Sequence, residues 1–150
     1  MGLIVCDVDN FKAYNDYYGH GQGDNVLTAV GQAIRQPLRD SDAAFRIGGE
    51  EFVILVRVEM ADDVEHIAER VRRALLEQEM PHQTNQGISY VSMSIGALAV
   101  DLTNYANEVT FAQLFELADK ALYQAKNNGR NQVTFCQYGN DDPHPRKTLD

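Results

Sequence analysis

At 150 residues, 44% hydrophobic and 23% charged, the chain has the length and apolar content of one globular domain, which excludes an extended disordered protein. A formal net charge of −9 excludes a general nucleic-acid or anionic-membrane surface, but a nucleotide can still bind where a few cations converge. Cys6 and Cys136 have no CxxC spacing, which argues against a disulfide framework or zinc site and for reduced core thiols in a cytoplasmic protein.

The chain opens without a basic flank, a spanning apolar run or a myristoylation signal. Residues 3–9 read as a buried central strand delivering Asp7 and Asp9 at its C-terminal edge. Period-two geometry sets both aspartates on one face and Val8 on the other, so one suffices as a ligand and the other can cap the following turn. Phe11, Tyr14 and Tyr18 at helical spacing predict a short helix stopping at Gly19. Residues 19–23 read as a glycine-rich loop open to close ligand approach, without the ending of a Walker A loop or the spacing of a dinucleotide fingerprint. Asp24 is placed to cap a helix over residues 25–37, with Val26, Leu27, Val30 and Ile34 inward.

A charged connector, residues 38–42, leads to two strand-like runs, 43–45 and 52–56. Between them Gly48-Gly49 predict a two-residue hairpin turn with positive φ, carrying Glu50 and Glu51 at its tip. Residues 61–78 form an amphipathic helix, 80–87 a polar loop, and 88–100 a strand pair or one long strand through Gly96. Residues 102–110 are irregular. A strong helix over 111–126 turns Phe111, Leu114, Leu117, Ala118, Ala121, Leu122 and Ala125 inward and ends at Asn127-Asn128-Gly129. A last short strand spans 133–136, and 139–150, with Pro143 and Pro145, form a flexible tail. This order predicts an α/β (α+β) sandwich, helices packed on a mostly antiparallel central sheet. A hairpin tip beside the end of the first strand would gather Asp7, Glu50 and Glu51, a cluster that calls for cations, and hard oxygens suit Mg²⁺.

Arg46-Ile47-Gly48-Gly49-Glu50-Glu51-Phe52 resembles the signature of the GGDEF family of diguanylate cyclases in its Gly-Gly-Glu-Glu-Phe form. Asp7-Val8-Asp9-Asn10-Phe11-Lys12, with Asn15-Asp16, Gly19-His20 and Gly23-Asp24, resembles the family's metal and guanine region. Arg39-Asp40-Ser41-Asp42 resembles its Arg-x-x-Asp inhibitory motif, and residues 118–123 and 125–131 its C-terminal helix and phosphate contacts. The resemblance implies a palm-like fold related to class III nucleotide cyclases, over residues 1–138. It also implies an N-terminal helix with an Asp-x-Leu-Thr-Gly-Leu-x-Asn-Arg motif, which this sequence does not contain.

The implied activity is condensation of two GTP into cyclic di-GMP and two pyrophosphates at the interface of a homodimer, with Mg²⁺ or Mn²⁺ as cofactor. Metal falls to Asp7, the Val8 carbonyl, Glu50 and Glu51; Glu50 is the candidate base and Lys12 offsets transition-state charge. Asn15, Asp24 and His20 are assigned to guanine, and Lys126 and Arg130 to the triphosphate. Product inhibition falls to Arg39, Asp42 and Arg46. An upstream sensory domain is the expected regulatory partner, and no nucleic acid or membrane partner is expected. Two other readings are a GGDEF-type module that senses GTP or cyclic di-GMP without turnover, and a nucleotidyl cyclase of other base preference.

Overall fold

The computed structural model describes residues 1–85, 87–105 and 108–139. The apolar run forms strand β1 (Gly2–Val8), joined by β2 (Ala43–Arg46), β3 (Glu51–Val56), β4 (Met93–Ala99) and β5 (Val133–Gln137) in one five-stranded sheet of order β2-β3-β1-β4-β5. All neighbours are antiparallel except β4 and β5, which run parallel because a helix carries the chain back between them. The predicted mostly antiparallel sheet flanked by helices is the observed architecture.

Strand alternation divides the core between two layers. Ile4, Cys6 and Val8 face α1 (Phe11–Tyr18), α2 (His20–Arg35) and α3 (Ala61–Leu76), through Phe11, Tyr14, Val26, Val30, Val64, Val71 and Leu75. Leu3 and Val5 face the other way, toward Leu114, Ala118, Ala121 and Leu122; the short helix α4 (Leu102–Tyr105) precedes the helix that bears them, α5 (Phe111–Asn127). A capping box starts α5: Gln113 N–H donates to Thr110 Oγ1 at 3.2 Å, and Thr110 N–H donates to Gln113 Oε1 at 2.9 Å. Helix α5 lies directly on β4 because residue 96 is glycine. A Cβ there would stand 2.1 Å from the Ala118 carbonyl oxygen and 2.4 Å from the Leu122 nitrogen.

Several local expectations are corrected. Residues 20–23 are helical, so α2 begins at His20, is preceded by Gly19 at φ 89° and ends at Arg35. Burial of Gly23, Val26, Ala29, Val30, Ala33 and Ile34 outweighs the low helix propensity of the glycines. Asp24 therefore lies within the helix instead of capping it. Gly48 and Gly49 are not among the glycines at positive φ; the connection over residues 47–50 is closed by an Ile47 N–H to Glu51 O bond of 2.9 Å. That longer tip relieves the glycines of the conformations a two-residue turn demands.

Strand β4 covers only Met93–Ala99, and residues 102–105 are helical where irregular chain was expected. Phe111 is exposed: in the first turn of α5 its ring lies beside that of Phe115, tilted by 32° with centroids 6.3 Å apart. Asn10 at φ 51°, and not Asp9, precedes α1. Cys6 and Cys136 are buried free thiols, as expected, and burial pushes Cys136 up to about 11. Of the expected tail, residues 139–150, all but Gly139 lies outside the described residues.

Candidate active site

Three segments meet at the C-terminal end of β1. Asp7 stands opposite Glu51 on β3 and Ser94 on β4, and the Val8 N–H donates to the Glu50 carbonyl at 3.2 Å. The hairpin tip is thus fastened to the strand end, which brings Asp7, Val8, Glu50 and Glu51 together. Close packing at Gly96 brings the last turn of α5 to the same place. Lys126 Nζ lies 3.1 Å from Asp7 Oδ2, a cation at the helix end that favours one.

Their charges are coupled. Burial raises the Asp7 carboxyl above its ordinary range; Lys126 opposes the shift, Asp9 adds to it and Arg130 opposes it. Glu50 is raised by burial and then by Asp7, against Lys126. Glu51 is raised by burial, then by Asp119, Asp7 and Glu50, again against Lys126. Lys126 is therefore a counter-ion common to these carboxylates. Among the described residues no three His, Cys, Asp or Glu side chains close into a ready metal cage. The donor type fits a hard divalent cation all the same: neighbouring carboxylate oxygens that hold protons too tightly, beside a main-chain carbonyl.

Asp9 does different work on the same strand end. It is 2% exposed; Oδ2 accepts from Ser92 Oγ at 2.7 Å and Asn131 N–H at 3.0 Å, and Oδ1 from Ser94 Oγ at 2.5 Å. Arg130 and Asn131 both adopt left-handed backbone, at φ 62° and 47°, so this carboxylate anchors the bend that carries Arg130 past α5. Asn131 Oδ1 also accepts from Arg72 Nη1 at 3.0 Å, and Arg72 forks onto Glu69 at 2.9 and 3.0 Å.

Sequence reasoning missed Ser92, Ser94 and Arg72, and it read Asn131 only within the block resembling phosphate contacts, not as a partner of Asp9. The one available signal was a pair of hydroxyls at period two in an otherwise apolar strand. It also missed His82, fully buried in the stretch read as a polar loop. The His82 Nε2 lies 3.3 Å from the Asn10 carbonyl oxygen, its ring meets Tyr14 edge-on at 5.1 Å, and burial lowers its pKa. It braces the entry to α1.

The predicted base-reading residues lie on α1 and α2. Lys12, His20 and Asp24 are exposed, and Asn15 is half-buried against Gly23. The predicted inhibitory motif is a tight turn at the opposite end of the β2–β3 hairpin. Asp42 Oδ2 accepts from Arg39 N–H at 2.9 Å and Oδ1 from Arg57 N–H at 3.2 Å. Arg46 is placed apart from that turn, at the tip, where its guanidinium donates to the Gly48 and Gly49 carbonyls at 3.0 and 2.8 Å.

Residues 1–132 match the family described as diguanylate cyclase, GGDEF domain. The chain belongs to the GGDEF family. It is 44% identical over 135 residues to diguanylate cyclase DgcS of Shewanella oneidensis, covering 87% of this chain and 40% of that one. The GGDEF domain of DgcB from Caulobacter crescentus, solved with c-di-GMP, matches with TM-score 0.76 and 32% identity, over 89% of this chain and 76% of that one. The active GGEEF domain of a Vibrio cholerae diguanylate cyclase matches with TM-score 0.76 and 30% identity, over 93% and 83% of the two chains. This GGDEF domain spans 28–40% of the length of curated relatives it matches. No helix among its described residues is long and apolar enough to cross a membrane.

Proposed function

We propose that this GGDEF domain is the catalytic unit of a diguanylate cyclase, condensing two GTP into cyclic di-GMP. The observation that carries the reading is the junction of β1, the hairpin tip and α5, where Asp7, Glu50 and Glu51 share Lys126 as counter-ion. In each half-reaction a 3′-hydroxyl oxygen bonds to the α-phosphorus of the other GTP, and the bond from that phosphorus to pyrophosphate breaks. Glu50 takes the hydroxyl proton, its raised proton affinity suiting it to that task. Lys126 and Arg130 hold the triphosphate, Lys12 meets charge developing on the phosphoryl oxygens, and Asn15, Asp24 and His20 hold the base. Asp7, Glu50, Glu51 and the Val8 carbonyl would hold Mg²⁺ or Mn²⁺, which supplies Lewis-acid polarisation of the phosphate.

One domain binds one GTP, so turnover requires two copies with their sites opposed, a homodimer set by an upstream regulatory domain. Its substrate and product make the cytoplasm its compartment. Arg39 and Asp42 form the product-inhibition site, which Arg46 joins by releasing the tip carbonyls. The test is incubation at high protein concentration with GTP and Mg²⁺, products resolved by chromatography. Cyclic di-GMP should form, and Glu50→Ala should lower its rate by roughly 10²–10⁴-fold. Tight nucleotide binding without product would replace this reading by a sensing module.

A further inference from the structure

Helices α1 and α2 meet at Asn15 and Gly23, and the fit depends on what residue 23 lacks. A Cβ on Gly23 would stand 1.8 Å from Asn15 Oδ1, 2.9 Å from its Cγ and 3.4 Å from its Nδ2. The whole carboxamide therefore lies over the bare helix backbone, oxygen innermost. That oxygen is buried and has no hydrogen-bond partner. A buried acceptor without a partner is unfavourable, so this amide retains unmet bonding capacity that turning about its terminal torsion can offer to a ligand. Gly23 has no conformational reason to be glycine, since it is helical, lacks positive φ and donates its N–H to the Gly19 carbonyl at 3.1 Å. Alanine is the better residue at such a position on helix propensity alone.

We propose that Gly23 is a specificity-determining position, whose missing side chain makes the berth that holds the Asn15 carboxamide where it selects a guanine base. The proposal rests on the reading of Asn15 as a base contact given above. Gly23 itself touches no substrate and acts through Asn15 as a positioning residue. Guanine presents a ring N1–H beside an exocyclic amine, a donor pair that adenine lacks, so a displaced carboxamide loses discrimination between bases as well as affinity.

The experiment measures GDP and ADP binding by calorimetry, two ligands that differ only in the base, with melting temperatures alongside. Gly23→Ala should weaken GDP binding roughly tenfold, about 1.4 kcal/mol, leave ADP unchanged and not lower the melting temperature. Asn15→Ala should do the same. Adding Gly23→Ala to Asn15→Ala should change GDP binding by less than about twofold, because the carboxamide it would displace is gone. Unchanged GDP affinity in Gly23→Ala, or an equal loss in both backgrounds, overturns the proposal. If Gly23→Ala melts lower, the double variant must restore the melting temperature; failure to do so assigns Gly23 to helix packing and also overturns it. Unchanged base preference in Asn15→Ala alone removes the underlying reading of Asn15, an outcome seen without any Gly23 variant.

Discussion

Replacing Asp9 by alanine tests whether the strand end is held by a buried carboxylate or by packing alone. The change removes the acceptor shared by Ser92 Oγ, Ser94 Oγ and Asn131 N–H. Hydrogen bonds to a charged group contribute about 1.5–3 kcal/mol each. The two hydroxyls can turn toward other acceptors, but the Asn131 amide is fixed by its left-handed backbone and would be left unpaired. A net loss of about 3–5 kcal/mol follows, a large part of the roughly 5–15 kcal/mol that holds a domain folded. For a chain of this size that is a fall of about 6–20 °C in melting temperature. Asp9→Asn keeps an acceptor without the charge and should lose about 1–2 kcal/mol. Thermal denaturation followed by circular dichroism reads both variants. A fall under about 3 °C for Asp9→Ala, or equal losses for the two, would refute the reasoning.

Glu51 should oppose folding at neutral pH. Its carboxyl holds a proton more tightly in the folded chain than its ordinary value of 4.5, so its contribution is favourable below 4.5 and is lost as pH rises through the raised value. Glu51→Gln should therefore melt above the parent near pH 7, with the difference gone well below pH 4.5; a gain independent of pH contradicts the electrostatic cause. Arg39→Ala should weaken cyclic di-GMP binding while sparing GTP, because the Arg39–Asp42 turn and the strand-end cluster sit at opposite ends of the hairpin. Unchanged cyclic di-GMP affinity in calorimetry would remove the inhibitory role.

The two ends of the candidate site were unequally legible. Asp7, Glu50 and Glu51 stood out because an acidic pair at a glycine-rich tip and aspartates closing an apolar strand interrupt strong local patterns. The start of α2 was misread because Gly19, Gly21 and Gly23 signal a loop to any local rule. Its helix exists because six of its residues, Gly23 among them, bury against neighbouring elements. The strand-like run 43–45 was legible too, although β2 proved a mostly exposed edge strand.

Local pattern by itself determined the apolar strands, the amphipathic helices, the acidic strand end and hairpin tip, and the blocks that mark the family, since each is written within a few consecutive residues. Only the tertiary structure decided that Lys126 neutralises Asp7, a residue 119 positions away, and that Ser92, Ser94 and Asn131 secure Asp9. It alone seats Asn15 on Gly23. Such pairings depend on how closely helices approach strands and one another, and a missing Cβ at Gly96 or Gly23 sets that distance without leaving any periodic trace in the chain.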